Sequence, residues 1–160
     1  MMAEFTYNPV QTVQPNQQVL LNTSIRCPKG YVLHREGSGI ITLRGIVNNP
    51  TSCFARYVVT FNGNIAIPEG GTVSPIAIAI AIDGEPVLTS KAIYNPSAAS
   101  EATGDTNYGN VTSTAIVTVP RGCCFNISVE NVSEVPTTPA GSNAPAINVK
   151  NANLTVSRIA

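Results

Sequence analysis

Apolar and polar residues alternate along most of the chain, and one stretch departs from that pattern. Ile76-Ala77-Ile78-Ala79-Ile80-Ala81-Ile82 is apolar at every position. In an extended strand, neighbouring side chains point to opposite faces. Ile76, Ile78, Ile80 and Ile82 then share one face, and Ala77, Ala79 and Ala81 share the other. Neither face is polar, so both are expected to be covered. The small face admits a close neighbour, either a second sheet or another copy of the chain. A buried helix is the alternative, because a short apolar run does not settle the element type. Ile at every second position, Pro75 before the run and Asp83-Gly84 after it favour the strand.

The rest of the chain reads as short strands between turns. Residues 3–24 are rich in Gln, Asn and Pro, with scattered apolar points at Phe5, Tyr7, Val10, Val13, Val19, Leu20 and Leu21. They predict an N-terminal arm or docking segment over 1–24, either a broken strand or a tail, ahead of a β-sandwich domain over 25–160. Ile25–Cys27 and Tyr31–His34 are short strand candidates. Ile41, Leu43 and Gly45 share a face within a strand over 40–47. Over 56–67, Tyr57, Val59, Phe61, Ile65 and Ile67 share one parity, with Gly63 a candidate bulge. Residues 87–89 read as extended. Thr and aliphatic residues alternate over 110–120. After Arg121-Gly122, Cys123, Phe125, Ile127 and Val129 face one way, which places Cys123 in the core and Cys124 at a surface or interface. Residues 147–149 and 154–160 are strands joined by Lys150-Asn151-Ala152. Two polar segments, 95–109 and 134–145, read as long loops. No segment has a convincing amphipathic helical period. Roughly eight or more short strands between turns predict an all-β antiparallel sandwich or barrel, with a jelly roll the common double-sheet solution.

Composition adds a constraint on assembly. Charged residues make up 11% of the 160 positions and the formal net charge is zero, against roughly a quarter charged in an ordinary soluble domain. A Ser/Thr/Asn-solvated surface accounts for this, and so does surface hidden in an oligomer. The Lys and Arg residues are scattered, which argues against nucleic acid as a partner. No apolar run reaches the roughly 18 residues of a membrane span, so no membrane insertion is expected. The start, Met1-Met2-Ala3-Glu4-Phe5-Thr6, lacks a charged-then-apolar signal pattern.

Several segments together resemble a known family. They are Phe61-Asn62-Gly63-Asn64-Ile65-Ala66-Ile67, Ile80-Ala81-Ile82-Asp83-Gly84-Glu85-Pro86-Val87, Val119-Pro120-Arg121-Gly122-Cys123-Cys124, Ile127-Ser128-Val129-Glu130-Asn131 and Asn151-Ala152-Asn153-Leu154-Thr155-Val156-Ser157-Arg158-Ile159-Ala160. In this order they resemble the tumour-necrosis-factor/C1q-like jelly-roll domains of Firmicutes surface proteins and their phages. The resemblance covers roughly residues 38–160 and consists of strands and turns, with no catalytic motif. It implies a two-sheet jelly roll and a compact homotrimer, with the last strand central in the inner sheet. Set in that fold, the Ile/Ala run becomes an inner-sheet strand, with Ile toward the core and Ala77, Ala79 and Ala81 toward a trimer interface. A monomeric core with tapering side chains is the alternative. The sequence departs from the family pattern in two respects. No Gly-X-Y collagen segment precedes the domain. Asp83 and Asp105 are the only aspartates, so the calcium sites of some C1q-like domains have no ligand cluster to match.

Candidate chemistry is sparse. His34 is the only histidine and reads as a solvated surface residue rather than a general base. Cys27, Cys53, Cys123 and Cys124 contain no CxxC pair, so no metal site or cofactor is expected. A Cys27–Cys53 disulfide stays open for an oxidising compartment. Asp83-Gly84-Glu85 reads as a turn rather than a cation site. The chain is therefore expected not to be an enzyme. Binding is assigned to the long loop and its edges, at Tyr94, Asn95, Asp105, Asn107 and Tyr108, which offer aromatic faces and polar groups to a glycan or protein. These readings converge on a structural or binding protein of a phage virion: a head fibre, decoration or receptor-contact protein. Its partners would be its own copies and, through the arm, capsid or fibre proteins. The alternative is a bacterial cell-surface or spore-surface module that binds a glycan or host protein.

Overall fold

The computed structural model of the chain describes residues 2–25, 30–137 and 143–160. Among these residues twelve strands follow in chain order: β1 Met2–Tyr7, β2 Gln11–Val13, β3 Thr23–Ser24, β4 Val32–His34, β5 Ile41–Arg44 and β6 Phe54–Ala66, then β7 Ile76–Ile82, β8 Glu85–Pro86, β9 Ala92–Tyr94, β10 Gly109–Pro120, β11 Cys124–Asn131 and β12 Ile147–Arg158. They form two antiparallel sheets. Sheet I has the order β10-β6-β12-β1-β3, with β2 also paired to β12. Sheet II has the order β4-β5-β11-β7-β8, with β9 also paired to β7. The expected strand at Ile25–Cys27 falls largely outside the described residues, as does the Cys27 half of the Cys27–Cys53 pairing.

The alternation visible in the sequence decides which faces meet. Tyr57, Val59, Phe61 and Ile65 of β6, Leu154 and Val156 of β12 and Phe5 of β1 point into the sandwich from sheet I. Ile76, Ile78 and Ile80 of β7 and Ile127 and Val129 of β11 meet them from sheet II. Each such side chain, fully buried, contributes roughly 1.5–3 kcal/mol relative to exposure. The Asp83-Gly84 hairpin between β7 and β8 has positive φ at both residues, 51° and 83°. Asp-Gly is the pair that such a two-residue turn favours. Its Asp83 carboxylate accepts the Asn126 N–H at 2.9 Å, so it is tied into the turn.

The Ile/Ala run is strand β7, with its Ile face in the core. It lies in sheet II, however, whereas β12 is central in sheet I between β6 and β1. The inner-sheet placement expected for the run is therefore corrected. Ala77, Ala79 and Ala81 are 3%, 0% and 0% exposed within a single chain. They are already covered within one chain.

Of the two alternatives for the N-terminal segment, a broken strand or a tail, residues 2–24 take the first. β1 pairs with β12 along its whole length, from Met2 opposite Ser157 to Tyr7 opposite Ala152. Ala3, Phe5, Val13, Val19 and Leu21 are core residues. Gln17 and Val19 continue the segment along β11, where the Val19 N–H donates to the Val129 carbonyl at 2.7 Å and the Asn131 N–H to the Gln17 carbonyl at 3.0 Å. The buried Asn131 amide fastens the same junction, donating to the carbonyls of Val13 at 3.0 Å and Pro145 at 2.9 Å. Gln, Asn and Pro dominate the composition of the segment, but its few apolar residues have the parity that a sheet can bury.

Three local expectations change as well. β12 is one strand, and the two pieces expected there are joined through an irregularity between Lys150 and Asn153, opposite Gly63. The additional residue thus belongs to β12, not β6, and Asn151 takes the positive φ of 55°. Residues 87–89 are expected to be extended, but residues 88–90 form one 3-10 turn. There Ser90 Oγ accepts the Ile80 N–H at 3.0 Å and donates to the Val87 carbonyl at 2.6 Å. The Ser113 hydroxyl of β10 donates to the Ser90 carbonyl, so this turn clips the edges of both sheets together. Cys123 is exposed like Cys124 rather than in the core. Its N–H donates to the Pro120 carbonyl at 3.0 Å, so it still belongs to the turn, and alternation starts only after it.

Candidate functional site

The long loop over 95–108 leaves β9 and returns into β10. Two of its expected site residues come together, and a third residue from another strand joins them. The Lys150 ammonium, on the face of β12 turned away from the core, pairs with the Asp105 carboxylate. It also donates to the Gly104 carbonyl at 3.3 Å and lies 5.5 Å from the centre of the Tyr108 ring. The Tyr108 N–H donates to the Asp105 carbonyl at 3.2 Å, closing the turn that aims both residues at Lys150. The sequence does not single out Lys150, because residues 150–152 read as a joint between two strands. Its position one residue after the buried Val149, in a single strand, was the available signal.

The other expected site residues go elsewhere. Asn107 adopts a φ of 64° and donates to the Ala99 carbonyl at 2.9 Å, so it shapes the loop. Tyr94 is partly buried against the core. Its ring lies where a side chain on residue 109 would stand, which makes Gly109 a close-approach glycine. Asn95 is exposed and faces a different cleft, beside the start of β7.

An asparagine network adjoins Lys150. Asn110 Nδ2 donates to Asn62 Oδ1 at 2.7 Å and to Asn64 Oδ1 at 3.3 Å. Asn64 in turn donates to Asn151 at 3.1 Å, and Asn151 to Asn8 at 2.6 Å. Beyond this network, the outward face of sheet I is ordered in cross-strand rows. Thr112, Asn62, Asn153 and Thr6 form one row, and Thr114, Thr60, Thr155 and Glu4 the next. The third row, Ile116, Val58, Ser157 and Met2, is mostly apolar. Ile116 is 62% exposed and Met2 59%. The face therefore grades from amide and hydroxyl groups near Lys150 to an apolar row near the other end.

The remaining reactive groups have structural settings. His34 Nε2 lies 3.1 Å from the Ser38 carbonyl, which only accepts, so Nε2 carries a proton. Nδ1 lies 2.8 Å from the Ser24 hydroxyl, and the ring packs at 5.0 Å from that of Phe5. Among the described residues, no group of three or more His, Cys, Asp or Glu side chains is placed to hold a metal ion. Nor is any helix among them long and apolar enough to cross a membrane. Burial pushes the Tyr57 phenol pKa up, partly offset by the Arg158 guanidinium. Its hydroxyl donates to the Arg44 carbonyl at 2.6 Å. Burial likewise pushes the Glu130 carboxyl pKa up.

No protein-family model and no curated protein matches the chain. Solved structures do. The TNF protein Eiger from S. frugiperda superposes with a TM-score of 0.62 at 10% identity, covering 100% of this chain and 92% of that one. The globular domain of the zebrafish complement 1qA protein gives 0.56 at 12% identity, covering 99% and 97%. Murine APRIL gives 0.53 at 8% identity, covering 99% and 100%. These likenesses extend over nearly the whole chain, including the N-terminal segment. The chain has the two-sheet antiparallel jelly roll of the TNF/C1q type.

Proposed function

We propose that the chain is a non-enzymatic structural and binding protein that works as a homotrimer in a phage virion, as a head fibre, decoration or receptor-contact protein. The observation that carries the assembly is the outward face of sheet I. In its mostly apolar third row, Ile116 and Met2 lie exposed and Val58 and Ser157 half-buried between them, beside rows of Thr and Asn that hold few charges. Packing copies on that face removes the exposed Ile116 and Met2 from water and strands few charges. This favours a contact through sheet I over one through the alanines of β7, which are buried within one chain. The N-terminal segment is occupied within the sheet, so attachment to capsid or fibre proteins uses a surface other than a free arm. Light scattering at micromolar concentration tests the assembly. A particle three times 16.7 kDa supports it and one of 16.7 kDa overturns it. The virion assignment is tested separately, by negative-stain imaging of native particles labelled with an antibody to the chain. Particles without label refute it.

The second reading is a cell-surface or spore-surface module that binds a glycan or host protein. The convergence of Tyr108, Lys150 and Asp105 beside the asparagine network favours it. An aromatic face beside amides and a charge pair suits hydroxyl-rich ligands. Glycan-array binding that is lost in Tyr108→Ala supports this reading, and an array without any hit removes it.

A further inference from the structure

Arginines that are far apart in the sequence meet at one end of the sandwich. β5 ends at Arg44, β10 passes into a turn at Arg121, β6 starts just before Arg56, and β12 ends at Arg158. The Gly122 N–H donates to the Gly45 carbonyl at 3.0 Å, so Arg44 and Arg121 each stand one residue from that bond. The Arg121 N–H donates to the Cys53 carbonyl at 2.8 Å, beside the start of β6. Arg158 stands opposite Tyr57, the neighbour of Arg56. The scatter of these cations along the sequence is not a scatter in space.

Each guanidinium is held in place, and none by a carboxylate. Arg44 Nη1 donates to the Gly30 carbonyl at 3.0 Å, and Arg121 Nη1 lies 3.4 Å from the Pro50 carbonyl. The Arg158 guanidinium lies 4.5 Å from the centre of the Tyr31 ring, and that of Arg56 4.7 Å from the Phe54 ring. The ion pairs among the described residues are Lys91–Glu134 and Lys150–Asp105. The residues outside that set include no Asp or Glu. Arg56 Nε and Arg158 Nη1 are buried without a partner, so these two side chains add charge rather than contacts. Arg121 is exposed and Arg44 half-buried, so theirs are the forks that a partner reaches. Partly buried charge is screened by salt less than exposed charge. A guanidinium fixed in advance loses little freedom when a carboxylate binds it.

The surroundings select the kind of anion. Phe54 and Ile159, 38% and 52% exposed, lie beside Arg56. Asp83 and Glu85 turn at the same end: the Asp83 N–H donates to the Asn126 carbonyl, two residues from Cys124, which stands opposite Arg44. A uniform polyanion such as a nucleic acid is repelled by those carboxylates. A short peptide with both carboxylates and apolar side chains matches the mixture, and arginine and aromatic residues are what protein interfaces enrich.

We infer that this arginine end docks an acidic, partly apolar peptide segment of another protein, with carboxylates on Arg44 and Arg121. It gives the attachment proposed above a surface, and rests on that reading only for which particle the partner belongs to.

Fluorescence anisotropy of the full chain with a labelled ten-residue peptide of Glu and Leu tests the inference. Saturable binding is expected at low salt, and it should weaken as salt rises. Arg44→Gln and Arg121→Gln should each weaken it about three-fold, with circular dichroism unchanged. Arg35→Gln removes the same charge in the turn between β4 and β5, at the other end of β5, and should leave binding unchanged. Deca-thymidylate should bind more weakly than the peptide. Absence of saturable binding, wild-type affinity in both Arg44→Gln and Arg121→Gln, equal weakening by Arg35→Gln, or tighter binding of deca-thymidylate would each overturn the inference. These outcomes are read on the chain alone, so failure here leaves the light-scattering and imaging tests of assembly and virion standing.

Discussion

Glu130 of β11 stands directly opposite Ala79 of β7, on the face of sheet II turned away from the core. Both are buried, at 5% and 0% exposure. Directly opposed side chains on an antiparallel pair are close neighbours, and like charges there repel. Ala79→Glu would set a second carboxylate beside the first on a covered face. It should destabilise the folded chain itself by ~3 kcal/mol or more. Urea denaturation measures this. A midpoint close to wild type would show that the face opens to water at little cost.

Glu130 is itself a source of pH dependence. Burial raises its pKa above the ordinary carboxylate value of 4.5. The folded chain therefore holds this proton more tightly than the unfolded chain does. Stability falls as pH rises from the unfolded value through the raised folded one, and stays lower above it. Glu130→Gln removes the titration. Its melting temperature should exceed wild type at neutral pH, and the gap should close as pH falls below the unfolded value. A gap that is the same at acid and neutral pH would contradict this account.

Most of the architecture was legible because the period-two pattern was unbroken. Tyr57, Val59 and Phe61 share a parity, and so do Phe125, Ile127 and Val129, and the sheets bury those faces. Which sheet a strand joins depends on pairing partners far away in sequence. β7 is apolar at every position, so its own residues do not distinguish one sheet from the other. Phe5 sits in a segment dominated by polar residues, yet its parity with Ala3 matches a strand paired to β12. The loop site was half visible. Asp105 and Tyr108 stand out by type, but the residue that joins them, Lys150, comes from another strand. Asn107 looked like a ligand group because its role in holding a left-handed backbone does not show in the residue alone.

The Tyr57 hydroxyl is the polar end of an otherwise buried ring, and it donates to the Arg44 carbonyl at 2.6 Å. Tyr57→Phe keeps the packing and removes this bond between the two sheets. The change should cost about 1–2 kcal/mol. Chemical denaturation with an unchanged slope checks it. A neutral result would mean that water replaces the hydroxyl at the carbonyl.

Lys150 anchors the long loop through Asp105 and Gly104. The Asp105 side chain is 84% exposed, so the pair is well solvated. Lys150→Ala should therefore cost under about 1 kcal/mol of global stability. Its effect should be local: faster hydrogen exchange at the Tyr108 amide, with β6 and β12 core amides unchanged. Uniformly faster exchange would mean that Lys150 supports the sheet rather than the loop.

Ile116 separates folding from assembly. It projects outward from β10, opposite Val58, with its neighbours Ala115 and Val117 buried on the other face. Ile116→Lys leaves the core untouched, and a surface change of this kind usually shifts monomer stability by no more than about 0.5 kcal/mol. In a trimer built on this face, three ammonium groups would come close together in a poorly solvated contact. The expected outcome is a well-folded chain, with wild-type circular dichroism, that sediments as a monomer where wild type sediments as a trimer. If wild type and variant sediment alike as trimers, the contact lies on another face, and the exposed Ile116-to-Met2 row requires a different partner.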